Sequence, residues 1–479
     1  MADFSFLTRQ KNLQRLKSEK FDLLVIGGGI NGAGVARDAQ SRGMKTALIE
    51  EHDFASGTSS RSSKLIHGGI RYLENLEFSL VFEALSERAL LFEMAPHLVH
   101  PLQFLLPIYD HSRVGMFKMR MGMCLYDLLS SFRAPELHRK LSSQRTVDHV
   151  PGINADGLKG SFTYYDAYME DDLLVLETLR SAHALGAVCG NYVTAGRRCE
   201  SPAGNLAVEV HDEISGEKFQ VRAQHVVSTV GAWTDLMMPK FQQAWRPILR
   251  PSKGIHITIP RYRLPLKQAV VMAMDKENRI IFVIPRAEMI IIGTTDTPFI
   301  GDPGDVYTDR ADVEYLLKAT RFYFPGLNLT TQDIIGSYSG VRPLVDDGTQ
   351  SVGKTSREHT VLQPLPDITV VAGGKYTTYR RVAEDTVKQV LHAFPLEQRV
   401  QFQRNNTKIP LNHHVTLDTL QETDLRADSI ARQFNVSISF VKALIPWFGD
   451  ETNWLLTKAG HHSIRLSGTD EEYWALRAM

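Results

Sequence analysis

The sequence predicts a mixed α/β (α+β) protein with a Rossmann-type domain, an antiparallel-sheet domain and a small C-terminal helical domain. Three observations predict this fold class: an early strand–helix–strand pattern broken by glycines, a middle stretch of short β-rich segments, and helical periodicity in the polar residues from about 396 onward. The chain has 479 residues, which is enough for two or three domains.

The first element in chain order is a strand–helix–strand unit. Residues 21–26 form an apolar run that ends at glycines, and residues 45–50 form a second apolar run that ends in an acid. Both patterns are typical of buried parallel strands. Residues 31–42 place apolar side chains at helical spacing, and Gly43 supplies the glycine that commonly follows a helix. The unit is therefore predicted to be a Rossmann-type βαβ fold.

The later elements alternate between strands and helices. The pattern of four segments predicts antiparallel strands, at His225–Val230, Gly254–Ile259, Arg279–Ile284 and Met289–Gly293. Helical patterns return at Ala311–Phe324 and Arg381–Ala393. We therefore expect a leader over residues 1–20, a main domain over 21–395 and a short helical domain over 396–479.

The overall composition is that of an ordinary globular protein. Lys plus Arg and Asp plus Glu number 54 each, so the charge balance does not favour nucleic acid as a partner. The three cysteines show no Cys-x-x-Cys spacing, which argues against a disulfide framework, a zinc site or a redox dithiol. They are Cys124, Cys189 and Cys199. A reducing compartment is therefore expected, and no metal is predicted.

The sequence shows neither a membrane span nor a secretory signal. No apolar stretch approaches the roughly 18 residues that a span requires, and the N-terminus has no apolar core followed by a cleavage site. A cytoplasmic protein is expected. The basic amphipathic leader and the Met-rich segment Val114–Tyr126 could each lie on the inner face of the cytoplasmic membrane. Packing of either segment against the protein itself is an equal alternative.

A glycine-rich turn, GGGING at residues 27–32, is the strongest local signal for function. Gly27 permits the tight turn, Gly29 lets a pyrophosphate approach the backbone, and Gly32 allows close packing of helix on strand. The N-terminus of the following helix attracts phosphate charge. Glu50, at the end of the second strand, is placed to accept hydrogen bonds from ribose hydroxyls.

This turn predicts a dinucleotide site without separating NAD from FAD. The stretch that follows, Ala55–Tyr72, is a long loop rich in hydroxyl side chains and glycines. Such a loop is too long and too polar for the second crossover of a nicotinamide enzyme. It favours the larger flavin dinucleotide.

Seven short segments of the chain occur in an order that one family shares. They are GGGINGAG (27–34), TSSRSSKLIHGGIRY (58–72), MAPH (94–97), KGIH (253–256), GTTD (293–296), SGVRPL (339–344) and GGKYTTYR (373–380). Through them the chain resembles the FAD-dependent, quinone-linked (aerobic) glycerol-3-phosphate dehydrogenases, within the flavoproteins related to D-amino-acid oxidase. The resemblance covers roughly residues 20–395.

The motif and the resemblance together indicate the residues that bind FAD. They are Gly27, Gly29, Ile30, Asn31, Gly32, Glu50, Glu51, Thr58, Ser59, Ser60, Ser63, Lys64, His67, Gly69, Val193, Gly231, Trp233, Gly340, Gly373, Gly374, Lys375, Thr377 and Thr378. The FAD-binding parts of the main domain are expected at about 21–95, 150–250 and 335–395, and the substrate sheet at about 250–335. Non-covalent binding of FAD is expected.

The substrate that the resemblance implies is sn-glycerol 3-phosphate. A phosphorylated polyol needs fixed cations, and arginine supplies a planar fork of donors. By resemblance, Arg71 and Tyr72 face the substrate, Arg342 lies beside the reacting carbon and Arg357 reaches the phosphate. Lys375 is expected both to contact the substrate and to stabilise the reduced flavin.

The expected reaction is hydride transfer from C2 of the substrate to flavin N5, which yields dihydroxyacetone phosphate. His256 is the preferred proton acceptor because an imidazole titrates near neutral pH. A buried histidine satisfied by the backbone is the rival interpretation, and His67 is an alternative base. The catalytic set is thus His256, Arg342, Lys375 and Arg71.

Quinone is the expected electron acceptor. A soluble oxidase that uses O2, an amine-oxidising flavoenzyme and a non-catalytic flavin-binding protein are the alternatives. The region after residue 400 has few residues of the family pattern, so membrane docking and a homodimer are left open.

Overall fold

A computed structural model describes residues 4–200, 206–274, 279–346, 359–459, 463–466 and 473–476. Over these ranges the chain forms fourteen α-helices and twenty β-strands. The helices are α1 (Phe6–Ser18), α2 (Ile30–Ser41), α3 (Phe78–Met94), α4 (Met116–Leu129), α5 (Ser143–His149), α6 (Asp171–Ala184), α7 (Thr234–Met237), α8 (Arg310–Tyr323), α9 (Tyr379–Leu391), α10 (Leu396–Gln401), α11 (Leu417–Leu425), α12 (Ala427–Phe434), α13 (Ile438–Phe448) and α14 (Glu451–Ala459).

The strands belong to two large sheets and one small hairpin. They are β1 (Lys20–Ile26), β2 (Thr46–Ile49), β3 (Leu65–Ile66), β4 (Val99–Tyr109), β5 (Arg139–Ser142), β6 (Leu158–Met169), β7 (Val188–Gly190), β8 (Val193–Glu200), β9 (Leu206–Asp212), β10 (Lys218–Ser228), β11 (Ser252–Pro260), β12 (Ala269–Met274), β13 (Arg279–Arg286), β14 (Met289–Gly293), β15 (Thr297–Pro298), β16 (Gly336–Arg342), β17 (His359–Leu365), β18 (Ile368–Gly373), β19 (Ser463–Leu466) and β20 (Tyr473–Leu476).

The first large sheet has the order β17–β18–β10–β1–β2–β7, and the β8–β9 hairpin joins it at β10. Strands β18, β10, β1, β2 and β7 run parallel, as the Rossmann-type prediction requires. Helix α2 connects β1 to β2 and packs with α6 and α9 in one apolar core. The predicted βαβ unit is therefore confirmed.

One strand runs in a different orientation from the one that the sequence predicts. Residues from His225 onward were expected to be antiparallel, but they form the end of β10, which runs parallel to β1 with Leu23 opposite His225. The first part of β10 does pair antiparallel with β9. That part alternates between buried and exposed residues, whereas the last four residues are all buried, so two pairing modes share one strand.

The second large sheet has the order β15–β11–β14–β13–β12–β4–β6–β3, with β16 on β11 and β5 on β6. The strands predicted at Gly254–Ile259, Arg279–Ile284 and Met289–Gly293 lie in β11, β13 and β14 and pair antiparallel. The sheet extends beyond the predicted range of about 250–335, because β3 to β6 and β16 also belong to it. Helix α8 packs on one face of this sheet.

The leader and the Met-rich segment each form a helix that packs on the protein. In α1, Leu13 and Leu16 are buried, although Phe6 and Leu7 are exposed. In α4, Met123 and Tyr126 are buried, and the opposite side of the helix is exposed. No helix in the described ranges is long and apolar enough to span a membrane.

The C-terminal region has a small core of its own. Helices α11 to α14 enclose this core, and an ion pair between Glu451 and Arg180 of α6 connects the region to the main domain. The helical prediction is confirmed for α10 to α14. The antiparallel pair of β19 and β20 was not predicted.

Candidate active site

A cavity of about 640 Å³ lies where the parallel strands β1, β2, β10 and β18 end. Open α/β sheets bind ligands at this edge because the loops after the strands diverge there. The lining residues are Ile26, Gly27, Gly29, Ile30, Asn31, Glu50, Glu51, His52, Ser56, Gly57, Thr58, Ser59, Ser62, Val193, Ala195, Thr229, Val230, Gly231, Trp233, Leu236, Met237, Lys240, Asp302, Gly304, Asp305, Pro343, Gly373, Gly374, Lys375 and Tyr376.

The glycine-rich turn has the close backbone contacts that its sequence predicts. Gly27 has φ of +106°, and a Cβ at Gly32 would lie 1.9 Å from the carbonyl oxygen of Gly27. A side chain at position 32 would therefore separate α2 from β1. Gly29 caps α2, and the backbone N–H of Ile30 donates to Ser59 Oγ at 3.0 Å. The N-terminus of α2 thus faces the cavity, where a diphosphate would be stabilised.

Glu50 defines one end of the cavity. Its carboxylate accepts hydrogen bonds from the backbone N–H groups of Gly28 at 2.6 Å and His52 at 2.9 Å. Burial raises the pKa of Glu50, and these two hydrogen bonds oppose the rise. Val193 and Lys240 line the cavity as well, and Lys240 Nζ donates to the carbonyl oxygen of Ala195 at 3.4 Å. An acid beside apolar side chains suits an adenosine group.

The lining residues fit FAD along the whole cavity. Glu50 is available to the ribose, the N-terminus of α2 to the diphosphate, and the glycines at the end of β18 to the flavin. Gly373 and Gly374 have φ of +70° and +90°, a conformation that favours glycine and leaves the cavity floor without side chains. The volume of about 640 Å³ lies within the range of cofactor pockets.

The predicted cofactor residues divide into two groups. Those that line the cavity are Gly27, Gly29, Ile30, Asn31, Glu50, Glu51, Thr58, Ser59, Val193, Gly231, Trp233, Gly373, Gly374 and Lys375. Those that lie outside its lining are Gly32, Ser60, Ser63, Lys64, His67, Gly69, Gly340, Thr377 and Thr378.

Sequence reasoning missed other lining residues. They are Ile26, His52, Ser56, Gly57, Ser62, Ala195, Thr229, Val230, Leu236, Met237, Lys240, Asp302, Gly304, Asp305, Pro343 and Tyr376. Thr229 and Val230 follow β10 as Gly27 follows β1, so a correct orientation for β10 would have identified them. Lys240 and Met237 carry no local signal and are identified only by their position in space.

A buried carboxylate holds the loop around Ser62 beside the cavity. Asp171 is fully buried, accepts a hydrogen bond from Ser62 Oγ at 2.7 Å and pairs with Lys64 Nζ. The hydroxyl of Tyr376 donates to the main-chain oxygen of Asp171. Ser62 and Tyr376, which both line the cavity, are therefore held by one residue at the start of α6.

His256 lies in a polar cluster on β11. Its Nε2 is 2.9 Å from Ser63 Oγ, and its ring stacks on Tyr338 of β16 with centroids 4.6 Å apart. A Cβ at Gly293 of β14 would lie 2.2 Å from the imidazole, so the neighbouring strand needs glycine there. The Nδ1 atom is buried and has no hydrogen-bond partner among the described residues.

The environment of His256 favours a neutral imidazole. Burial and, to a smaller extent, the positive charges of Arg342 and Lys64 lower the pKa of His256 to about 3. A neutral ring retains a lone pair at neutral pH, but a pKa of about 3 makes it a weak base, so the expectation that His256 titrates near neutral pH is wrong.

Arg342 is held by the segment that follows β14. Its Nη2 donates to Thr294 Oγ1 at 2.8 Å and to the carbonyl oxygen of Thr295 at 3.1 Å, and Nη1 is 3.4 Å from Asp296 Oδ1. A Cβ at Gly254 would lie 2.3 Å from Nη2, so the glycine of the KGIH segment makes room for the guanidinium. The KGIH, GTTD and SGVRPL segments meet at this arginine.

Lys375 and Tyr72 form a second cationic contact. Lys375 Nζ lies 3.7 Å from the centroid of the Tyr72 ring, a cation–π geometry, and Lys375 also lines the cavity. Thr377 Oγ1 accepts a hydrogen bond from the backbone N–H of His67 at 3.3 Å. The side chain of Arg71 and the whole of Arg357 lie outside the described residues, so their roles stay predictions.

Comparison with known proteins gives consistent matches. A sequence profile described as FAD dependent oxidoreductase matches residues 22–380. The aerobic glycerol-3-phosphate dehydrogenases of Staphylococcus haemolyticus and Staphylococcus aureus are each 35% identical over 405 residues, which cover 84% of this chain and 73% of the relative.

Two solved structures extend the comparison. The glycerol-3-phosphate dehydrogenase of Bacillus halodurans complexed with FAD has a TM-score of 0.75 and 29% identity, and the match covers 96% of this chain and 81% of that chain. The L-alpha-glycerophosphate oxidase of Mycoplasma pneumoniae with FAD bound has a TM-score of 0.61 and 16% identity, with 78% and 95% covered. The second likeness indicates the fold alone.

Proposed function

The chain belongs to the family of FAD-dependent glycerol-3-phosphate dehydrogenases and oxidases, and from this premise we propose that it oxidises sn-glycerol 3-phosphate to dihydroxyacetone phosphate and passes the electrons to quinone. FAD is its cofactor. The observation that carries the proposal is the cluster of the buried His256 and the half-buried Arg342, which adjoins the cavity at Pro343, the residue after Arg342.

The cationic side chains explain why a phosphorylated substrate is favoured. Arg342 is oriented by Thr294, Thr295 and Asp296, so its guanidinium is fixed before substrate arrives. Lys375 adds a second positive charge at the cavity wall. Fixed cations bind a dianion more strongly than mobile surface cations do, because less side-chain entropy is lost.

The proton of the C2 hydroxyl needs an acceptor. If the ring proton of His256 is on Nε2 and is donated to Ser63, the buried Nδ1 carries the lone pair that we propose as the acceptor, although the low pKa of His256 makes it a weak base. Bound FAD supplies the hydride acceptor, and the chain supplies position, charge and proton acceptor. Stacking on Tyr338 fixes the plane of the imidazole during this transfer.

The test is anaerobic reduction of the purified yellow protein. Addition of sn-glycerol 3-phosphate is expected to bleach the flavin absorbance near about 450 nm, and glycerol at the same concentration is expected to leave it unchanged. If glycerol 3-phosphate does not bleach the flavin of a flavin-loaded protein, the proposal is wrong. Bleaching by amines instead would move the assignment to the amine-oxidising alternative.

The acceptor is tested separately after reduction. Re-oxidation by a short-chain ubiquinone analogue is expected to exceed re-oxidation by dissolved oxygen at equal concentration. Rapid re-oxidation by oxygen with stoichiometric hydrogen peroxide would instead identify a glycerol-3-phosphate oxidase.

The exposed side of α4 supports peripheral contact with a membrane. Phe117 is 79% and Met121 is 60% exposed one helical turn apart, and the adjacent Lys118 and Arg120 are also exposed. Apolar side chains interspersed with cations are typical of helices that lie on anionic bilayers. We therefore propose that the protein is cytoplasmic and that α4 rests on the inner face of the membrane, where quinone is available.

Vesicle sedimentation tests this contact. The double variant Phe117→Ser and Met121→Ser is expected to reduce binding to phosphatidylglycerol vesicles by roughly tenfold. The control is Leu425→Ser, which removes a side chain that is 86% exposed on α11, far from α4 in the sequence. Equal binding of the double variant and the control would exclude the α4 face as the contact.

A further inference from the structure

A buried charged cluster lies behind the His67–Tyr72 segment and is not part of the reaction proposed above. It joins three elements: Arg88 of α3, Tyr126 of α4 and Asp166 of β6. Arg88 is 0% exposed, and Tyr126 and Asp166 are each 2% exposed. Burial of a charged pair in a core usually adds little to stability, so stability alone does not account for this cluster.

The hydrogen bonds of the cluster lead to one backbone group. Arg88 Nη1 pairs with Asp166 Oδ1 and also donates to the carbonyl oxygen of Tyr165 at 2.8 Å. The Tyr126 hydroxyl donates to the Asp166 carboxylate at 2.8 Å and accepts the backbone N–H of Gly68 at 3.0 Å. The chain of bonds therefore runs from the guanidinium to the peptide of Gly68.

Side chains of α3 and α4 also pack closely against the Gly68 backbone. A Cβ at Gly68 would lie 2.5 Å from Leu85 Cδ2 and 2.6 Å from the Tyr126 hydroxyl oxygen. The backbone at Gly68 is therefore in direct contact with α3 and α4. The Tyr126 hydroxyl is the nearer of two acceptors for the Gly68 N–H, and the other is Asp166 Oδ1 at 3.4 Å.

The segment that follows Gly68 is a tight turn. Gly69 has φ of +73°, and the next residues form a tight 3-10 turn over Ile70–Asn75. Tyr72 lies in this turn, with the Lys375 ammonium 3.7 Å from its ring centroid. A Cβ at Gly69 would lie 2.4 Å from the Tyr72 ring, so the backbone next to Gly68 packs directly on the side chain that Lys375 contacts.

We propose that Tyr126 is a positioning residue for the substrate-facing segment His67–Tyr72: it transfers the fixed orientation of the Arg88–Asp166 pair to the Gly68 peptide. The inference rests on the proposed function in so far as Tyr72 faces the substrate. The phenolic hydroxyl suits this task because it donates to the carboxylate and accepts from the peptide at the same time.

The chain offers a matched control for the test. Tyr126→Phe removes the hydroxyl that bonds Gly68. Tyr164→Phe makes the same chemical change in the same core, since the Tyr164 ring packs edge-on against Tyr126 with centroids 5.8 Å apart. The Gly68 N–H bonds involve Tyr126 and Asp166, not Tyr164.

The first measurement is hydrogen–deuterium exchange of the holoenzyme by mass spectrometry. Peptides that span residues 67–73 are expected to exchange about tenfold faster in Tyr126→Phe than in the wild type, and to be unchanged in Tyr164→Phe. Peptides from β1 serve as an internal reference, so a variant with lower global stability remains interpretable. Unchanged exchange in Tyr126→Phe, or equal acceleration in both variants, would overturn the proposal.

The second measurement is steady-state kinetics with glycerol 3-phosphate. The KM of Tyr126→Phe is expected to rise about tenfold with kcat within about twofold, while Tyr164→Phe keeps both parameters. A purely structural role would lower active enzyme concentration and leave KM unchanged, which would contradict positioning. If the wild-type flavin is not reduced by glycerol 3-phosphate, the proposed function fails, and the exchange comparison still decides whether Tyr126 positions the segment.

Discussion

The cofactor cavity and the His256–Arg342 cluster are built by different means. The cavity presents backbone, glycine and hydroxyl groups from loops at the ends of parallel strands. The cluster presents ionisable side chains that other side chains hold in place between antiparallel strands. The comparison predicts that FAD binding depends on space near the backbone and that catalysis depends on a few polar contacts. Each of the following predictions tests one side of this difference.

The largest effect is expected from Gly32→Ala. The new Cβ would lie 1.9 Å from the carbonyl oxygen of Gly27, so the turn that receives the diphosphate cannot form. We expect the flavin content of the purified protein, measured as the ratio of absorbance near about 450 nm to that near about 280 nm, to fall more than tenfold.

Gly122→Ala is the matched control for this variant. Gly122 lies in α4, and apart from its chain neighbours and the helix's own backbone, no atom of the described residues lies within 4 Å of its Cβ position. Its flavin content should equal that of the wild type. Normal flavin content in Gly32→Ala would contradict the idea that backbone space determines cofactor binding.

Arg342→Lys is expected to have the next largest effect. Lysine retains the charge but loses the planar fork that reaches Thr294, Thr295 and Asp296. We expect kcat/KM for glycerol 3-phosphate to fall by roughly a hundredfold, equivalent to about 2.7 kcal/mol of transition-state stabilisation. Flavin content should not change, since the arginine is outside the cavity lining. Loss of flavin in this variant would contradict the idea that Arg342 serves catalysis and not cofactor binding.

The pH dependence of stability compares a histidine from each region. Burial lowers the pKa of His256 to about 3 and that of His225, in the parallel sheet, to about 4. Because the unfolded state binds a proton near pH 6.5 and the folded state does not, the free energy of unfolding should fall as pH decreases from about 6.5 toward these values.

Denaturant titrations at pH 7 and pH 5 measure this dependence. Between pH 7 and pH 5 the free energy of unfolding of the wild type should fall. In each of the variants His256→Gln and His225→Gln this fall is expected to be smaller by about 1–2 kcal/mol. A wild-type protein that is equally stable at both pH values would contradict the neutral, buried state of these rings.

The smallest effect is expected from Ser63→Ala. This change removes the 2.9 Å contact with His256 Nε2 and leaves the ring stacked on Tyr338. One hydrogen bond to a neutral ring contributes about 1 kcal/mol, so kcat should fall by roughly fivefold. Ser56→Ala, on the cavity lining, is the control and should keep kcat. A larger loss in the control would place the catalytic contacts in the cavity wall.

Much of the cofactor side was predictable because its signals are local. Gly27, Gly29, Ile30 and Asn31, with Glu50 just after the next strand, belong to one βαβ unit, and the structure brings them to one cavity. The loop residues Thr58 and Ser59 are near in sequence as well. Where the contact is distant in sequence, as for Lys240 and Met237, no local pattern exists and the prediction failed.

The polar support of the substrate side was not predictable. His256 and Arg342 were identified through motifs, but pairing of β11 with β14 and β16 brings Thr294 and Tyr338 to them, and Ser63 reaches His256 from the loop before β3. The orientation of β10 was mispredicted for a related reason, since a strand shared between two pairing modes carries a mixed burial pattern.

The sequence by itself determined the βαβ unit, the glycine turn and the types of side chain that the reaction needs, because hydrophobic period and glycine position constrain the backbone locally. Tertiary structure decided which side chains meet. It placed Gly254 beside Arg342 and stacked His256 on Tyr338. It also connected the Arg88–Asp166 ion pair to the Gly68 peptide through the hydrogen bonds of the Tyr126 hydroxyl. Those contacts join residues far apart in the chain, and the burial that sets the pKa of His256 exists only once the second sheet is complete.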